Sequence, residues 1–415
     1  MNKLVIVGGG PAGLAAAAQA RRCGVEDITV IERDKCLGGI LNQCVHSGFG
    51  LHMFKQELTG PEYAARLEKE AEGIKCLTST TVLSVKPDKS VECVNEKGLF
   101  TLRADAVILA CGCRERPRGA IGIPGARCAG VYTAGTAQKL ININGVMPGK
   151  KFFILGSGDI GLIMARRAIL QGGEVCAVAE LMPFSSGLKR NIAQCLDDFG
   201  IPLLLSHTVT DIKESGGRLS GVTVSRVDEK LRPVPGSERF YECDTLLLSV
   251  GLIPETELLR GAGAQLDPVT QGARVDERMM TSVDGLFCVG NMLHVHDLAD
   301  NACKEAEECA RFAAEYLAGE SAGGELAAVE CAGGVRYAVP QFLRRNARGE
   351  LSLKLRVASE VKNVYISAQA DGEEVYSLFR RVAAPGEMEY LTLPEEKAAR
   401  LRAARKIVIT LRAKQ

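Results

Sequence analysis

NKLVIVGGGPAGLAAAAQARRCG, residues 2–24, sets Gly8, Gly10 and Gly13 between an apolar run and an alanine-rich segment. Val5-Ile6-Val7 predicts a buried parallel strand. Gly8 allows the tight turn, Gly10 lets backbone approach a phosphate, and Gly13 lets the following helix lie close to the strand. Gly8, Gly10, Pro11, Ala12 and Gly13 then form a cradle in which a pyrophosphate meets free N–H groups at a helix N-terminus. A second apolar run, DITVIERD, ends on Glu32, 24 positions beyond Gly8. An acidic residue at about that spacing accepts hydrogen bonds from a ribose.

The pattern recurs. KKFFILGSGDIGLIMARRAILQGGEVCAVAE, residues 150–180, repeats strand, glycine turn, helix and strand, with Gly156, Gly158, Asp159, Ile160 and Gly161 in the turn and Glu180 again 24 positions beyond its first glycine. Two fingerprints of one spacing predict two dinucleotide sites. The acid at the end of the second strand favours a ribose 2′-hydroxyl over a 2′-phosphate, hence NAD rather than NADP, although Lys189 and Arg190 stand nearby.

Bulk properties are those of an ordinary soluble globular protein. The 415 residues are 46% hydrophobic and 24% charged with net charge +1, which suits two or three soluble domains and gives no basic field for nucleic acid. No apolar run reaches the length of a membrane span and residues 1–7 lack a signal-peptide core, so a cytoplasmic protein is expected. The 15 cysteines include no C-x-x-C, which argues against a zinc ribbon and against a thioredoxin-like dithiol.

Between the fingerprints, CLGGILNQCVHSGFGLHMF (36–54) reads as a loop at the carboxyl ends of the strands, where open α/β sheets bind ligands. PEYAARLEKEAEG (61–73) reads as a helix with Pro61 near its start and Gly73 as its stop. AVILACGCRERPRGAIGIPG (106–125) is an apolar strand running into a turn at Cys111-Gly112. LFCVG (286–290) runs through a turn into a helix from about Asp300 to Leu317. Beyond residue 323, LSLKLRVAS, VKNVYISAQA, EVYSLFRRV, MEYLTLP and KIVITLRA alternate with period 2 and predict a small β-sandwich for packing, dimerisation or partner docking. The expected domains are therefore 1–125 with 250–323, 126–249, and 324–415.

In their order, GGGPAG with Glu32, ILACGCRERP, GSGDIG with Glu180, LLLSVGLIPET and SVDGLFCVGN resemble the two-dinucleotide-domain flavoproteins, thioredoxin reductase and its relatives, over residues 1 to about 320. The resemblance implies two Rossmann-like domains, an NAD(P) domain inserted in an FAD domain. FAD would lie on the first cradle with Glu32, Gly39, Cys111-Gly112 and Gly290-Asn291, and NAD on the second. Arg33, Val82, Gly251 and Asp297 are further cofactor-binding candidates. Two departures stand out. The family's redox dithiol is missing, with Thr133 to Thr136 where thioredoxin-reductase-like members carry it and a single Cys44 near where glutathione-reductase-like members do. Asn291 also replaces the family's Asp of the Gly-Asp motif, and Asn can still donate and accept.

The dithiol-free branch is the closer likeness: flavoprotein subunits of opine oxidases, hydrogen cyanide synthase and heteromeric sarcosine-type oxidases. LNQCVHSGFG, GVYTAGTAQKLIN and GLKRNIAQCLDDF are most similar to bacterial oxidoreductases associated with a glycerol-3-phosphate-dehydrogenase-like flavoprotein. That implies electron exchange between NAD(H) and a second flavoprotein subunit. Joins between two such domains often move, so rotation of the inserted domain is expected to bring the cofactors together, and a homo-oligomer is a further expectation. A self-contained reductase or oxidase and a non-catalytic FAD scaffold are the competing readings. Four of the five histidines, His46, His52, His294 and His296, fall in two cofactor-side loops. His46, His52, His296 and Cys44 are the catalytic candidates, because imidazole titrates near neutrality and suits proton transfer. His294, His296 and Asp297 have the composition of a metal cluster but no firm third ligand, and no metal is expected.

Overall fold

The computed structural model describes residues 2–320 and 324–414. The chain divides into two compact units, Met1–Cys113 with Pro254–Gln415, and Arg114–Ile253.

In the first unit the opening strand, Lys3–Val7, is the centre of a five-stranded parallel sheet. The order is Leu286–Cys288, Ala106–Leu109, Lys3–Val7, Asp27–Ile31, Lys75–Leu77. Leu4, Val5 and Ile6 have no exposed surface, as expected of a strand covered on both faces. Helix Pro11–Arg22 leaves the glycine turn with Ala15, Ala16, Ala17 and Ala18 buried, and their small side chains let helix Ala299–Leu317 pack along it. Helix Gly60–Glu70 begins with a capping box that the sequence reading did not identify. Thr59 Oγ1 accepts from Glu62 N–H, and Thr59 N–H donates to the Glu62 carboxylate at 2.8 Å. The helix stops before the expected Gly73. The 36–54 loop contains a 3₁₀ turn, Gly39–Gln43, and a strand, Ser47–Phe49, paired with Leu58–Thr59.

The second unit repeats the plan. Its parallel sheet runs Val131–Thr133, Thr245–Leu248, Lys151–Leu155, Glu174–Glu180, Leu203–Leu205. Each unit also carries a three-stranded antiparallel meander, Thr81–Val85 with Ser90–Asn95 and Gly98–Arg103 in the first, His207–Ser215 with Arg218–Arg226 and Arg239–Glu242 in the second.

The C-terminal strands form two sheets, of five and three strands, around a shared core that includes Leu343, Leu353, Leu391, Leu401 and Ile409. Three strands and a helix join the five expected strands: Leu326–Cys331, Val335–Val339, Phe342–Arg344 and Glu395–Ala403. The helix interrupts the expected alternation, because Glu395–Ala403 is rich in Ala, Glu, Lys and Arg.

The unit boundaries differ from the sequence expectation in three places, one of them residues 250–253, which group with the inserted unit. Residues 114–125 go with the inserted unit, not with the first. Arg118 clasps the carbonyls of Ile123, Gly125 and Ala126, and Ala126 N–H donates to Ile212 O. The C-terminal sheets group with the first unit, through buried ion pairs of Arg344 with Asp276 and Arg402 with Glu277. The expected boundary at 323/324 adjoins residues 321–323, which lie outside the described ones.

Candidate functional site

The two glycine turns are built alike, down to individual hydrogen bonds. Gly8 has φ +109°, and a Cβ there would lie 2.4 Å from Ala110 O; Gly156 has φ +96°, and a Cβ would lie 2.1 Å from Ser249 O. A Cβ on Gly13 would meet Gly8 O at 1.8 Å. Such separations exclude any side chain, so each helix starts against its strand with the first N–H groups facing outward.

Glu32 Oε2 accepts from Gly9 N–H at 2.7 Å and Oε1 from Asp34 N–H at 2.8 Å. Glu180 repeats this with Ser157 N–H and Met182 N–H, both at 3.0 Å. Ser157 Oγ, at 2.6 Å, also loads Glu180 Oε2. Both acids are buried, so the common 24-residue spacing has a structural cause: each carboxylate ties its glycine turn to the end of the second strand.

The other cradle candidates sort by what surrounds them. Gly10 caps helix Pro11–Arg22 from extended backbone, Pro11 opens it, and Gly39 packs against Gly10, where a Cβ would meet its Cα at 3.0 Å. Ala12 faces Gly290. Gly112 (φ +70°) and Gly251 (φ +97°) follow equivalent strands of the two units, and nothing lies within 4 Å of a Cβ at either, so both turns are open. Cys111 Sγ contacts Val7 O at 3.6 Å, and desolvation pushes its thiol up to about 12, a protonated group and not a nucleophile.

Gly158 caps helix Asp159–Leu170, and Ile160 packs on that unit's core. Gly161 abuts Ser249, whose Oγ accepts from its N–H. The Asp159 carboxylate is committed internally, to Leu188 N–H at 2.8 Å and Asn191 Nδ2 at 2.6 Å. Arg33 is exposed, and Val82 is a half-buried meander residue opposite Cys93. Beside the second turn lies a cavity of about 680 Å³ lined by Arg116, Gly156, Glu180, Met182, Val250 and Gly251, a volume in the range of cofactor pockets.

The histidine loops separate. His46 is half-buried, its Nδ1 near Ser47 O and its ring 5.1 Å from Phe49. His52 is exposed, and only its backbone N–H is engaged, by Asp300. Cys44 is buried under the loop, its Sγ 3.3 Å from Ile40 O and its own carbonyl accepting from Gly60 N–H.

His294 and His296, by contrast, converge on Glu305, a fully buried carboxylate on helix Ala299–Leu317 that the sequence reading overlooked. Oε1 accepts from Gly290 N–H at 2.9 Å and from His296 Nε2 at 3.1 Å; Oε2 accepts from His294 Nε2 and from Lys354 Nζ, both at 2.8 Å. The two imidazoles and the carboxylate have a metal-binding composition. The carboxylate, however, already accepts four hydrogen bonds, one of them from an ammonium. Asp297 does not join them: Arg356 and Met388 N–H take its two oxygens. These bonds tie Asp297 to the C-terminal sheets, and Asn291 Oδ1 meanwhile accepts from His296 N–H at 2.9 Å.

Burial by itself would push Glu305 up; Lys354, His296 and His294 outweigh it and hold the carboxyl well below its usual range. Burial pushes His294 down to about 4 against the pull of Glu305, so this imidazole is neutral, donates from Nε2 and carries a bare Nδ1. A histidine neutral in the fold but protonated when unfolded costs stability below its unfolded value near 6.5. Unfolding free energy is therefore expected to fall by about 3 kcal/mol as pH drops from about 6.5 to about 4, on top of general acid effects. Denaturant titrations of the wild type and His294→Gln across that window check this: the slope should be shallower in the variant.

Helix Ala134–Asn142 carries the stretch where the family likeness would put a dithiol. Thr133 caps it, with Thr133 Oγ1 and Thr136 Oγ1 2.8 Å apart. Glu115 Oε1 accepts from Gly135 N–H at 2.7 Å, placing an anion at this helix N-terminus. No two of the described cysteines are joined in a disulfide.

Residues 2–306 match the family model described as pyridine nucleotide-disulphide oxidoreductase. The chain belongs to that family. It is an FAD- and NAD(P)-dependent oxidoreductase. It is similar to the glutamate synthase [NADPH] small chain of Mycobacterium tuberculosis, 30% identical over 77% of this chain and 67% of the relative. It is also similar to an opine oxidase subunit of Rhizobium meliloti, 27% identical over 69% of this chain and 58% of the relative. The fold matches thioredoxin reductase of T. acidophilum with a TM-score of 0.62, at 24% identity, over 77% of this chain and 99% of that structure. The chain spans about two thirds or less of the length of the curated relatives it matches. Among the described residues, no helix is long and apolar enough to cross a membrane.

Proposed function

We propose that the family member described here moves electrons between NAD(H) and a second redox protein, a flavoprotein subunit of glycerol-3-phosphate-dehydrogenase type, without a dithiol of its own. FAD takes the first cradle, Gly8 to Gly13 with Glu32, Gly39 and Gly112, and NAD the second, Gly156 to Gly161 with Glu180 and Gly251. Both cradles fit a pyrophosphate: each has a glycine that a Cβ would jam, a helix N-terminus and an open glycine across the turn. When bound, the cofactors supply hydride chemistry between nicotinamide and flavin. The chain's own residues fix the phosphates, present N–H groups and hold the turns rigid through Glu32 and Glu180.

The observation that carries the dithiol-free reading is the Thr133–Thr136 pair. A C-x-x-C at a helix N-terminus uses that terminus to stabilise a thiolate. Here two hydroxyls and the Glu115 carboxylate occupy it, and an adjacent carboxylate would oppose a thiolate. Electrons must then leave for something outside the fold. The likeness to relatives named as a small chain and as one subunit of an oxidase supports a protein acceptor.

Purification of the tagged chain from its native host, with a flavin count on each co-purifying chain, tests this. A stoichiometric second flavin-bearing chain is expected; a lone chain that turns over rapidly with a small substrate would overturn it. The wiring of Glu180 also predicts preference for NADH. With Oε2 held by Ser157 N–H and Oγ, a buried anion at the end of the strand repels a 2′-phosphate. The kcat/KM for NADH should exceed that for NADPH by about tenfold or more, an order expected for one buried like-charge contact. Equal values would contradict the assignment.

A further inference from the structure

Lys354 lies in strand Leu351–Val357 of the C-terminal sheets, outside the stretch shared with the family model, yet its ammonium reaches a carboxylate directly beneath the Gly290-Asn291 turn. Glu305 has no exposed side-chain surface and Lys354 has 11%. Each of the four acceptor directions of Glu305 is filled from a distinct donor: the turn backbone, two imidazoles of the following loop, and the C-terminal strand. Because an ionised carboxylate only accepts, both imidazoles donate from Nε2, and neither Nδ1 atom has a hydrogen-bond partner. The rings stand 4.3 Å apart.

We propose that Lys354 is a positioning residue of the C-terminal sheets. It supplies the fixed positive charge that lets Glu305 hold the Gly290 turn and keep Nε2 of both imidazoles turned toward it, and so shapes the flavin side of the first unit. The inference rests on the reading that this turn faces FAD. The groups facing Glu305 are Lys354, His294 and His296, with Cys288, Cys309 and Tyr390 nearby and Glu308 4.0 Å from the ammonium. None of these others is a second fixed cation. Removing the ammonium leaves the buried carboxylate without its fixed counter-charge and so favours uptake of a proton by the cluster. The folded state of such a variant binds a proton that its unfolded state releases above the ordinary carboxylate range. Its deficit must consequently grow as pH rises.

The experiment uses the full chain as wild type, Lys354→Met and Lys354→Arg. It measures the FAD dissociation constant at pH 6 and pH 8, the unfolding midpoint at both, and ¹⁵N spectra of histidine-labelled protein. In Lys354→Met the FAD dissociation constant should rise about tenfold or more at pH 8 and recover toward wild type at pH 6, the order expected when a buried ion pair loses one partner. The unfolding midpoint should drop more at pH 8 than at pH 6, and Lys354→Arg should restore most of both. Wild-type spectra should show both imidazoles carrying a proton on Nε2, with His294 protonated there alone, a pattern that Lys354→Met disturbs. A pH-independent loss, or unchanged histidine tautomers, overturns the proposal. So does uptake of zinc by the wild type with loss of both Nε2–H signals. If the wild type binds no flavin at all, the flavin assignment fails separately, while the spectra and unfolding still decide what Lys354 does.

Discussion

Gly8→Ala should purify without flavin, while Gly156→Ala should keep its flavin and lose reduction by NADH. A methyl group on Gly8 would lie 2.4 Å from Ala110 O in backbone at φ +109°, and one on Gly156 would lie 2.1 Å from Ser249 O at φ +96°. Neither obstacle is the tip of a flexible side chain. In each case the strand-end carbonyl must move, and the helix N-terminus that it positions moves with it. Loss of a well-placed phosphate cradle should cost about a hundredfold or more in cofactor affinity, given several charge-assisted N–H bonds of about 1.5–3 kcal/mol each. The two variants form a dissociation: visible absorbance after purification reads the first site, and anaerobic bleaching reads the second. Flavin retained in Gly8→Ala with bleaching intact would reverse or abolish the assignment of the two cradles.

The second large effect is expected at Glu305. Glu305→Ala strands the Lys354 ammonium, two imidazole N–H groups and Gly290 N–H in a place with almost no solvent. Removing one member of a buried ion pair typically costs about 3–5 kcal/mol. Denaturant unfolding should show a loss of that order, with Glu305→Gln partly restored because an amide oxygen can still accept from Gly290. A loss below about 1 kcal/mol in Glu305→Ala would mean that the cluster is more hydrated than the geometry implies.

The cradles were legible from sequence because their constraints are local and steric. A strand, a glycine turn and a helix within about twenty residues leave no freedom at Gly8 or Gly13, and the acid that ties the turn follows at a fixed interval. Parallel strands buried on both faces are equally legible, since Val5 to Val7 and Leu246 to Leu248 are continuous apolar runs. Glu305 was not legible. It sits in a helix whose neighbours Cys303, Ala306 and Cys309 mark a buried face, but its partners come from 15 residues before and 49 after, and periodicity does not report ion pairs across that span. His294 and His296 stand out in sequence as a loop pair, yet their burial depends on Lys354 and Tyr337, supplied by strands with no catalytic pattern. The limits of the compact units differ from the expected ones for a similar reason. Glu115 accepts from Gly135 N–H and Ala126 N–H donates to Ile212 O, and those contacts, not composition, tie residues 114–125 to the inserted unit. The Thr59–Glu62 capping box is readable in principle, being a Thr-x-x-Glu before a helix, but Pro61 draws the apparent start one residue late.

If electrons leave as proposed, the flavin is the last electron carrier within this chain. An anaerobic titration of the purified, FAD-loaded protein with NADH, followed at the flavin absorbance, tests it most directly. Complete bleaching is expected at one NADH per flavin, with no new thiols appearing on reduction. A requirement for two NADH per flavin with two thiols released, or a flavin that stays oxidised in excess NADH, would contradict it.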